Sequence, residues 1–212
     1  MQPRPAATVV VARDSVEGPE ILVLERHAGS RFAPGFLVFS GGVVEPGDPA
    51  LARAWFGSED EVERACAVRE LYEETGLLAT AEGVRSLRPD RPIEEVAFSP
   101  PSISTLPEMS RWVAPEFLAV RFDARFFALA ASPDTRPTLD GVEIERAWWA
   151  SPGSVLESAK RGDASLMWPT LKTLQALTAC RSVGDVLSLR VPQEEPPGGV
   201  IPGDPARRRG AP

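Results

Sequence analysis

Cysteine and histidine are nearly missing from this 212-residue chain: Cys66 and Cys180 are the only cysteines and His27 is the only histidine. Two cysteines make neither a disulfide framework nor a zinc-ligand pattern, and both read as small apolar groups to be buried. His27 stands in a polar stretch and reads as a loop residue rather than a base. No apolar run approaches the roughly 18 residues of a membrane span. The stretch from Met1 to Pro5 has neither the basic nor the apolar region of a signal peptide, and the final Gly-Ala-Pro is not a peroxisomal address. The expectation is a soluble, cytoplasmic protein with no membrane partner. Basic excess is absent too: the net charge is −7 and the pI about 4.9, which argues against a nucleic-acid partner. An acidic chain that binds an anionic phosphate needs local basic residues and a metal to overcome its own field. There are no internal repeats.

What is present is a sequence of 22.9 kDa with 43% hydrophobic residues, enough for one sizeable core. We expect one domain over residues 1–190, then a Pro-, Gly- and Arg-rich tail over 191–212, disordered by composition and ending near Arg207-Arg208-Arg209. The most informative stretch is Arg69-Glu70-Leu71-Tyr72-Glu73-Glu74-Thr75-Gly76-Leu77. It reads as the last turns of a helix stopped by glycine. Residues three and four apart share a helix face, so Glu70, Glu73 and Glu74 are expected on one side and Val68, Leu71 and Thr75 on the other. Carboxylates at a helix C-terminus oppose its dipole at roughly 0.3 to 1 kcal/mol each. Held ~4 to 6 Å apart, they repel by about 3 to 4 kcal/mol per pair at an effective dielectric near 20. A hard divalent ion reverses both costs, and Mg²⁺ or Mn²⁺ suits carboxylate oxygens that share a site with water and phosphates. The plain alternative is a solvated acidic face with Arg69 as its counter-charge.

The flanks favour the cation. Gly41-Gly42 follows the apolar run Phe36 to Phe39, and Gly76 follows the carboxylates. Together these residues resemble the Nudix box, in which a glycine and an acidic residue precede R-E-apolar-x-E-E-x-G-apolar. The C-terminal half matches at every specified position. The N-terminal half departs, because Trp55 stands where the usual spacing puts the glycine, and an apparent insertion over about 43–58 separates Gly42 from Arg69. Two residues can fill the first acidic position: Asp48 counted forward from Gly42, or Glu61 counted back from Arg69. An interrupted box resembles a branch that includes peroxisomal coenzyme A diphosphatases of the nucleoside diphosphate-linked moiety X motif 19 type. Arg111-Trp112-Val113-Ala114-Pro115, the Arg121 to Phe127 segment and the Glu143 to Trp149 stretch followed by Pro152 are similar to signatures of that branch. Arg26, Arg31, Gly35 and Phe39 to Gly42 share the spacing of an arginine motif of coenzyme A hydrolysing members, with Ser40 in place of the usual proline.

The resemblance implies a Nudix fold of the α/β (α+β) class, a mixed β-sheet sandwiched between α-helices. From the residues themselves, Thr8 to Arg13, Ile21 to Glu25, Phe36 to Phe39, Phe117 to Phe122, Phe126 to Ala130 and Glu145 to Ala150 read as strands. Ser58 with Glu61 reads as a capping box that opens a helix from about Glu59 to Thr75. Pro152 to Lys160 and Trp168 to Cys180 read as helices, and Pro89 to Pro115 as a long irregular connection.

The implied activity is metal-dependent hydrolysis of a diphosphate joined to a nucleoside. Coenzyme A or an acyl-coenzyme A is the favoured substrate, cleaved to 3′,5′-ADP and a phosphopantetheine product; ADP-ribose, a nucleoside diphosphate-sugar and a dinucleotide are the rivals. A non-catalytic nucleotide-binding module of the same fold is the rival from another class. Such a reaction needs cations on the phosphoryl oxygens, an activated water and alignment. Glu70 and Glu74 are the expected Mg²⁺ or Mn²⁺ ligands, joined by Glu73 and the Gly42 carbonyl. Arg69 is expected to orient a carboxylate, with Glu73 as its partner in catalysis, and Glu143 to serve as the general base. Arg26, Arg31 and Arg121 are the candidate phosphate-binding guanidinium groups. Partners are then a small nucleotide or coenzyme A substrate, with a homodimer allowed.

Overall fold

Two long strands form the frame. The computed structural model describes residues 2–195 except 31, 32, 98, 119 and 140. Strand β1 (Arg4–Ser15) and strand β2 (Gly18–Arg26) pair antiparallel through a two-residue turn. Both run further than their apolar stretches, because the cross-strand ladder and the ion pair of Arg13 with Glu20 at 2.7 Å carry them through the polar ends. On one edge of β1 lies strand β8 (Phe122–Ala130), parallel to it, and beyond β8 strand β7 (Glu108–Val113). β1 also pairs with β4 (Ser40–Val43), while β2 pairs with β3 (Phe36–Val38) and with β9 (Ile144–Ala150); β10 (Ser165–Leu166) closes against β3. Among the described residues these make an eight-stranded mixed sheet, with β5 (Leu77–Thr80) and β6 (Gly83–Ser86) as a separate hairpin.

Both faces of the sheet are covered, as the unbroken run of Val9 to Ala12 demands: Val9 and Val11 face one core, Val10 and Ala12 the other. The first core packs under helices α1 (Asp48–Phe56) and α2 (Val62–Thr75), with Ala65, Val68, Leu71 and Tyr72 buried. The second packs under α3 (Pro152–Arg161), α4 (Trp168–Leu177) and α5 (Val183–Ser188), with Val155, Leu174, Leu177 and Val186 buried. This is a mixed sheet between helices. Among the described residues no helix is long and apolar enough to cross a membrane.

Several local expectations are corrected. Phe117 to Phe122 is not a strand; Phe117 is exposed in the connection before β8, which starts only at Phe122. β7 lies inside the stretch expected to be irregular, its edge-strand pattern of buried Met109 and Trp112 obscured by flanking prolines. The helix expected from Glu59 is broken into a 3₁₀ turn, Glu59–Glu61, and α2, because the Ser58 hydroxyl accepts the Asp60 N–H and Glu61 turns instead to Arg64. The capping box is made elsewhere, by Ser182 and Asp185 at α5. Cys66 is buried as expected, but Cys180 is partly exposed beyond the end of α4. The tail from 196 to 212 lies outside the described residues.

Candidate active site

The candidate functional residues hang on α2 and the strand beside it. Gly76 ends α2 with φ of 64°, its N–H closing on Tyr72 O at 2.8 Å; a Cβ there would lie 2.3 Å from Leu87 O, so both conformation and space call for glycine. Val68, Leu71 and Thr75 fix the helix to the sheet at 1% exposure or less. Those contacts aim Arg69, Glu70, Glu73 and Glu74 at β4 and the start of α1.

Arg69 is the hub. Its Nε donates to Asp48 Oδ1 at 2.7 Å and its Nη2 to Asp48 Oδ2 at 3.1 Å, a bidentate pair. Nη1 reaches Glu73 Oε2 at 2.8 Å and Glu70 Oε1 at 3.0 Å, and Nη2 also donates to Val43 O at 3.2 Å. Asp48 is fully buried and also accepts the Glu45 N–H. Burial works against the Arg69 charge, but Asp48 and Glu70 outweigh it and hold its proton more tightly than usual. The acidic residue that meets Arg69 is therefore Asp48, while Glu61 pairs with Arg64 at 2.8 Å. The six-residue step from Gly42 to Asp48 was the sequence signal, obscured by the competing count back to Glu61.

The three helix carboxylates part company. Glu73 is half-exposed and turned to Arg69. Glu74 is buried and turned to β4, where its Oε2 accepts from the Ser40 hydroxyl at 2.6 Å and from the Gly41 N–H at 3.1 Å. Glu70 sits between them against Gly42, where a Cβ would fall 2.2 Å from Glu70 Oε1. Only glycine admits that approach. Burial pushes the Glu70 carboxyl up to about 7 against the pull of Arg69, and burial pushes Glu74 up to about 8, offset in part by Ser40. Burial also raises Glu73. The Cys66 thiol lies 3.7 Å from Gly42 O; burial and then the Asp48 and Glu70 charges raise its pKa, keeping it a protonated, weak donor. Neither the Ser40 contact nor the Cys66 contact was foreseen from sequence.

Arg26, at the end of β2, and Glu143, just before β9, lie beside this group. Their side chains meet at 3.5 Å, and the His27 N–H bonds to Glu143 O at 2.9 Å. The Glu143 charge acts on Glu70 and the Arg26 charge on Glu74, which puts both within electrostatic reach of the carboxylates. His27 itself accepts the Gly29 N–H in a local turn. Arg121 is elsewhere: its Nε donates to Ala114 O, and it lines a shallow cavity with Val113, Phe117 and Gln193. Arg31 lies outside the described residues.

Among the described residues no three Asp, Glu, His or Cys side chains are gathered as a ready metal cluster. The donor set nevertheless fits a hard divalent cation. Glu70 and Glu74 are carboxylates that burial drives toward protonation, which a cation would reverse, and Glu70 is pressed into the side-chain-free cradle at Gly42.

The NUDIX domain model matches residues 2–169. A putative nudix hydrolase 7 of Caenorhabditis elegans is 27% identical over 90% of this chain and 68% of its own length. The acyl-coenzyme A diphosphatase NUDT19 of Gallus gallus is 27% identical over 79% of this chain, which spans 63% of that relative's length. The crystal structure of a NUDIX hydrolase from Alicyclobacillus acidocaldarius superposes with a TM-score of 0.76 at 29% identity, covering 90% of this chain and 98% of the other. With a sheet between two helical layers, an arginine-centred carboxylate site at Gly42 and a family match over most of its length, the chain belongs to the Nudix hydrolases, enzymes that act on nucleoside diphosphate-linked substrates.

Proposed function

We propose that this hydrolase cleaves coenzyme A or its acyl thioesters to 3′,5′-ADP and a (acyl-)phosphopantetheine, and that the segment between Gly42 and Arg69 is an interrupted Nudix box. The observation that carries the catalytic part is the pair of carboxylates, part-buried Glu70 and buried Glu74, set beside Gly41 and Gly42 and braced by the Arg69–Asp48 pair. The coenzyme A part is supported by the likeness to the chicken acyl-coenzyme A diphosphatase and by Arg26 at the edge of the carboxylate group.

Glu70 and Glu74, with the Gly42 carbonyl and Glu73 beside them, are the residues that would hold Mg²⁺ or Mn²⁺. When bound, such an ion polarises phosphoryl oxygens and lowers the pKa of a water. The chain's own residues do the rest. Arg69, fixed by Asp48, holds Glu70 and Glu73 in place. Glu143, more than half exposed and tethered through His27, takes the proton from the attacking water. The water oxygen forms the new bond to phosphorus, the bridging P–O bond breaks, and the departing phosphate keeps the bridging oxygen and its electron pair. Arg26 offers a guanidinium to a substrate phosphate, with Arg31 as a further candidate for the 3′-phosphate.

Product analysis tests this on coenzyme A, acetyl-coenzyme A, dephospho-coenzyme A, ADP-ribose and NADH with Mg²⁺ or Mn²⁺. The expected result is 3′,5′-ADP from coenzyme A, abolished in Glu74→Gln. Faster cleavage of dephospho-coenzyme A, or AMP from ADP-ribose alone, would overturn the coenzyme A assignment and leave the site standing. Binding without cleavage of any member would sink the hydrolytic reading of the site.

A further inference from the structure

Resting on the reading of Glu74 as a cation ligand, we propose that Ser40 is the positioning residue for that ligand: its hydroxyl, with the Gly41 N–H, clamps one oxygen of Glu74 so that the other alone is presented to the ion. The clamp is short and dry. Ser40 Oγ donates to Glu74 Oε2 at 2.6 Å and the Gly41 N–H to the same oxygen at 3.1 Å, with Ser40 2% and Glu74 5% exposed. With Glu74 ionised, as cation binding requires, a hydroxyl-to-carboxylate contact of this length is a charge-assisted bond, roughly twice as strong as a neutral one. Glu74 Oε1, in contrast, is engaged by none of the hydrogen bonds or ion pairs given by the described residues.

The clamp is also rigid at both ends. Ser40 opens β4, in register with Val9 of β1 at the centre of the sheet, and Glu74 stands in the last turn of α2, one residue before the packed Thr75. A glutamate has three side-chain torsions to fix before it can ligate, and ordering them at the moment of binding costs affinity. Two donors on one oxygen fix them in advance. They also assign the oxygens: Oε2 is spoken for by Ser40 and Gly41, which leaves Oε1 as the oxygen that would ligate an ion. A hydroxyl that merely satisfied a buried acid would cost stability when removed but would leave the cation affinity of the folded chain unchanged.

That difference is the test. Mn²⁺ binding is measured by electron paramagnetic resonance on the full chain without substrate, for wild type, Ser40→Ala, Ser40→Thr, Ser40→Val, Glu74→Gln and the Ser40→Ala/Glu74→Gln pair. Ser40→Ala is expected to weaken Mn²⁺ about tenfold, Ser40→Thr to restore it to within about twofold, and Ser40→Ala to add nothing in the Glu74→Gln background. Threonine and valine have the same shape, so Ser40→Thr binding more tightly than Ser40→Val supports the clamp even where the alanine variant fails to fold by circular dichroism. Wild-type affinity in Ser40→Ala, equal affinities for the threonine and valine variants, or an equal loss with and without Glu74 would overturn the role of Ser40 alone. A wild-type chain that binds no Mn²⁺ would overturn the cation reading of the site together with it.

Discussion

The two faces of the sheet are covered by similar numbers of apolar side chains but differ in what else they bury. Under α1 and α2 lie Asp48, Arg64, Arg69 and Glu74, each less than a tenth exposed. Under α3, α4 and α5 the buried polar groups are hydroxyls, Ser110, Thr170 and Thr173, and among the described residues no charged side chain is buried there. Taking an ion out of water costs several kcal/mol even when it is paired, so a layer needed only for stability has no use for four of them. Arg64 shows the structural form of such burial: it donates to Leu106 O, pairs with Glu61 and lies 4.6 Å from the Phe127 ring, tying a loop to the core. Asp48, Arg69 and Glu74 instead converge on a helix end and a glycine cradle. One face holds the fold; the other gives up stability to hold charge.

Substitutions on the two faces should therefore separate activity from stability. The largest effect is expected from Glu74→Gln, which should lower kcat by about a hundred- to a thousandfold while melting at or above the wild-type temperature in chelator above about pH 8, where the buried carboxyl it replaces is ionised. Steady-state kinetics and calorimetry on one preparation would check both halves, and a Glu74→Gln enzyme with near-normal kcat would remove Glu74 from the site. Asp48→Asn is next. It leaves a buried guanidinium short of its partner and should cost about 3 to 5 kcal/mol of stability as well as activity, whereas Glu61→Gln, which also takes a partner from a buried arginine but lies away from the carboxylates, should cost stability and leave kcat unchanged. Equal losses of kcat from the two would mean that the Arg69–Asp48 pair is not the brace. On the opposite face Leu174→Ala, at a fully buried position, should cost about 2 to 5 kcal/mol in urea unfolding with kcat/KM of the folded fraction unaltered.

How much of this was legible depends on whether a residue's role is local. The R-E-x-x-E-E-x-G run identified α2, its glycine stop and the carboxylates, because helix period and capping are written in neighbouring residues. The buried runs of β1, β2 and β8 showed for the same reason. β7 did not, since an edge strand among prolines declares itself only through its partner β8. Asp48 and Glu61 were equivalent by counting and are told apart only by the fold of α1, which swings Asp48 against Arg69, 21 residues away. Ser40 looked like a mismatch to the expected proline; its hydroxyl finds a purpose only once Glu74, 34 residues on, is brought to it. Arg26 and Glu143, 117 residues apart, meet through the pairing of β2 with β9, and Arg121, equally plausible by residue type, is carried to another surface.

The smallest effect concerns pH and sharpens the contrast between the faces most directly. Glu70 and Glu74 have folded-state pKa values near 7 and 8, raised by burial above the usual 4.5. A carboxyl whose pKa is raised on folding binds its proton more tightly in the folded chain, so its contribution to stability is complete below about pH 4.5 and is lost as pH climbs through the folded values. In chelator, the stability of the chain should fall between about pH 5 and pH 8, by on the order of 2 kcal/mol given the coupling of the two sites. Glu74→Gln should flatten that slope and Leu174→Ala should shift the curve down without changing it. Saturating Mg²⁺ or Mn²⁺ should flatten it as well, because an ion that binds the ionised carboxylates stabilises the folded state most where they are deprotonated. Chemical denaturation at several pH values, with and without metal, reads all four curves. A slope that survives both Glu74→Gln and metal would place the titration elsewhere and leave the charged face with no more than a structural account.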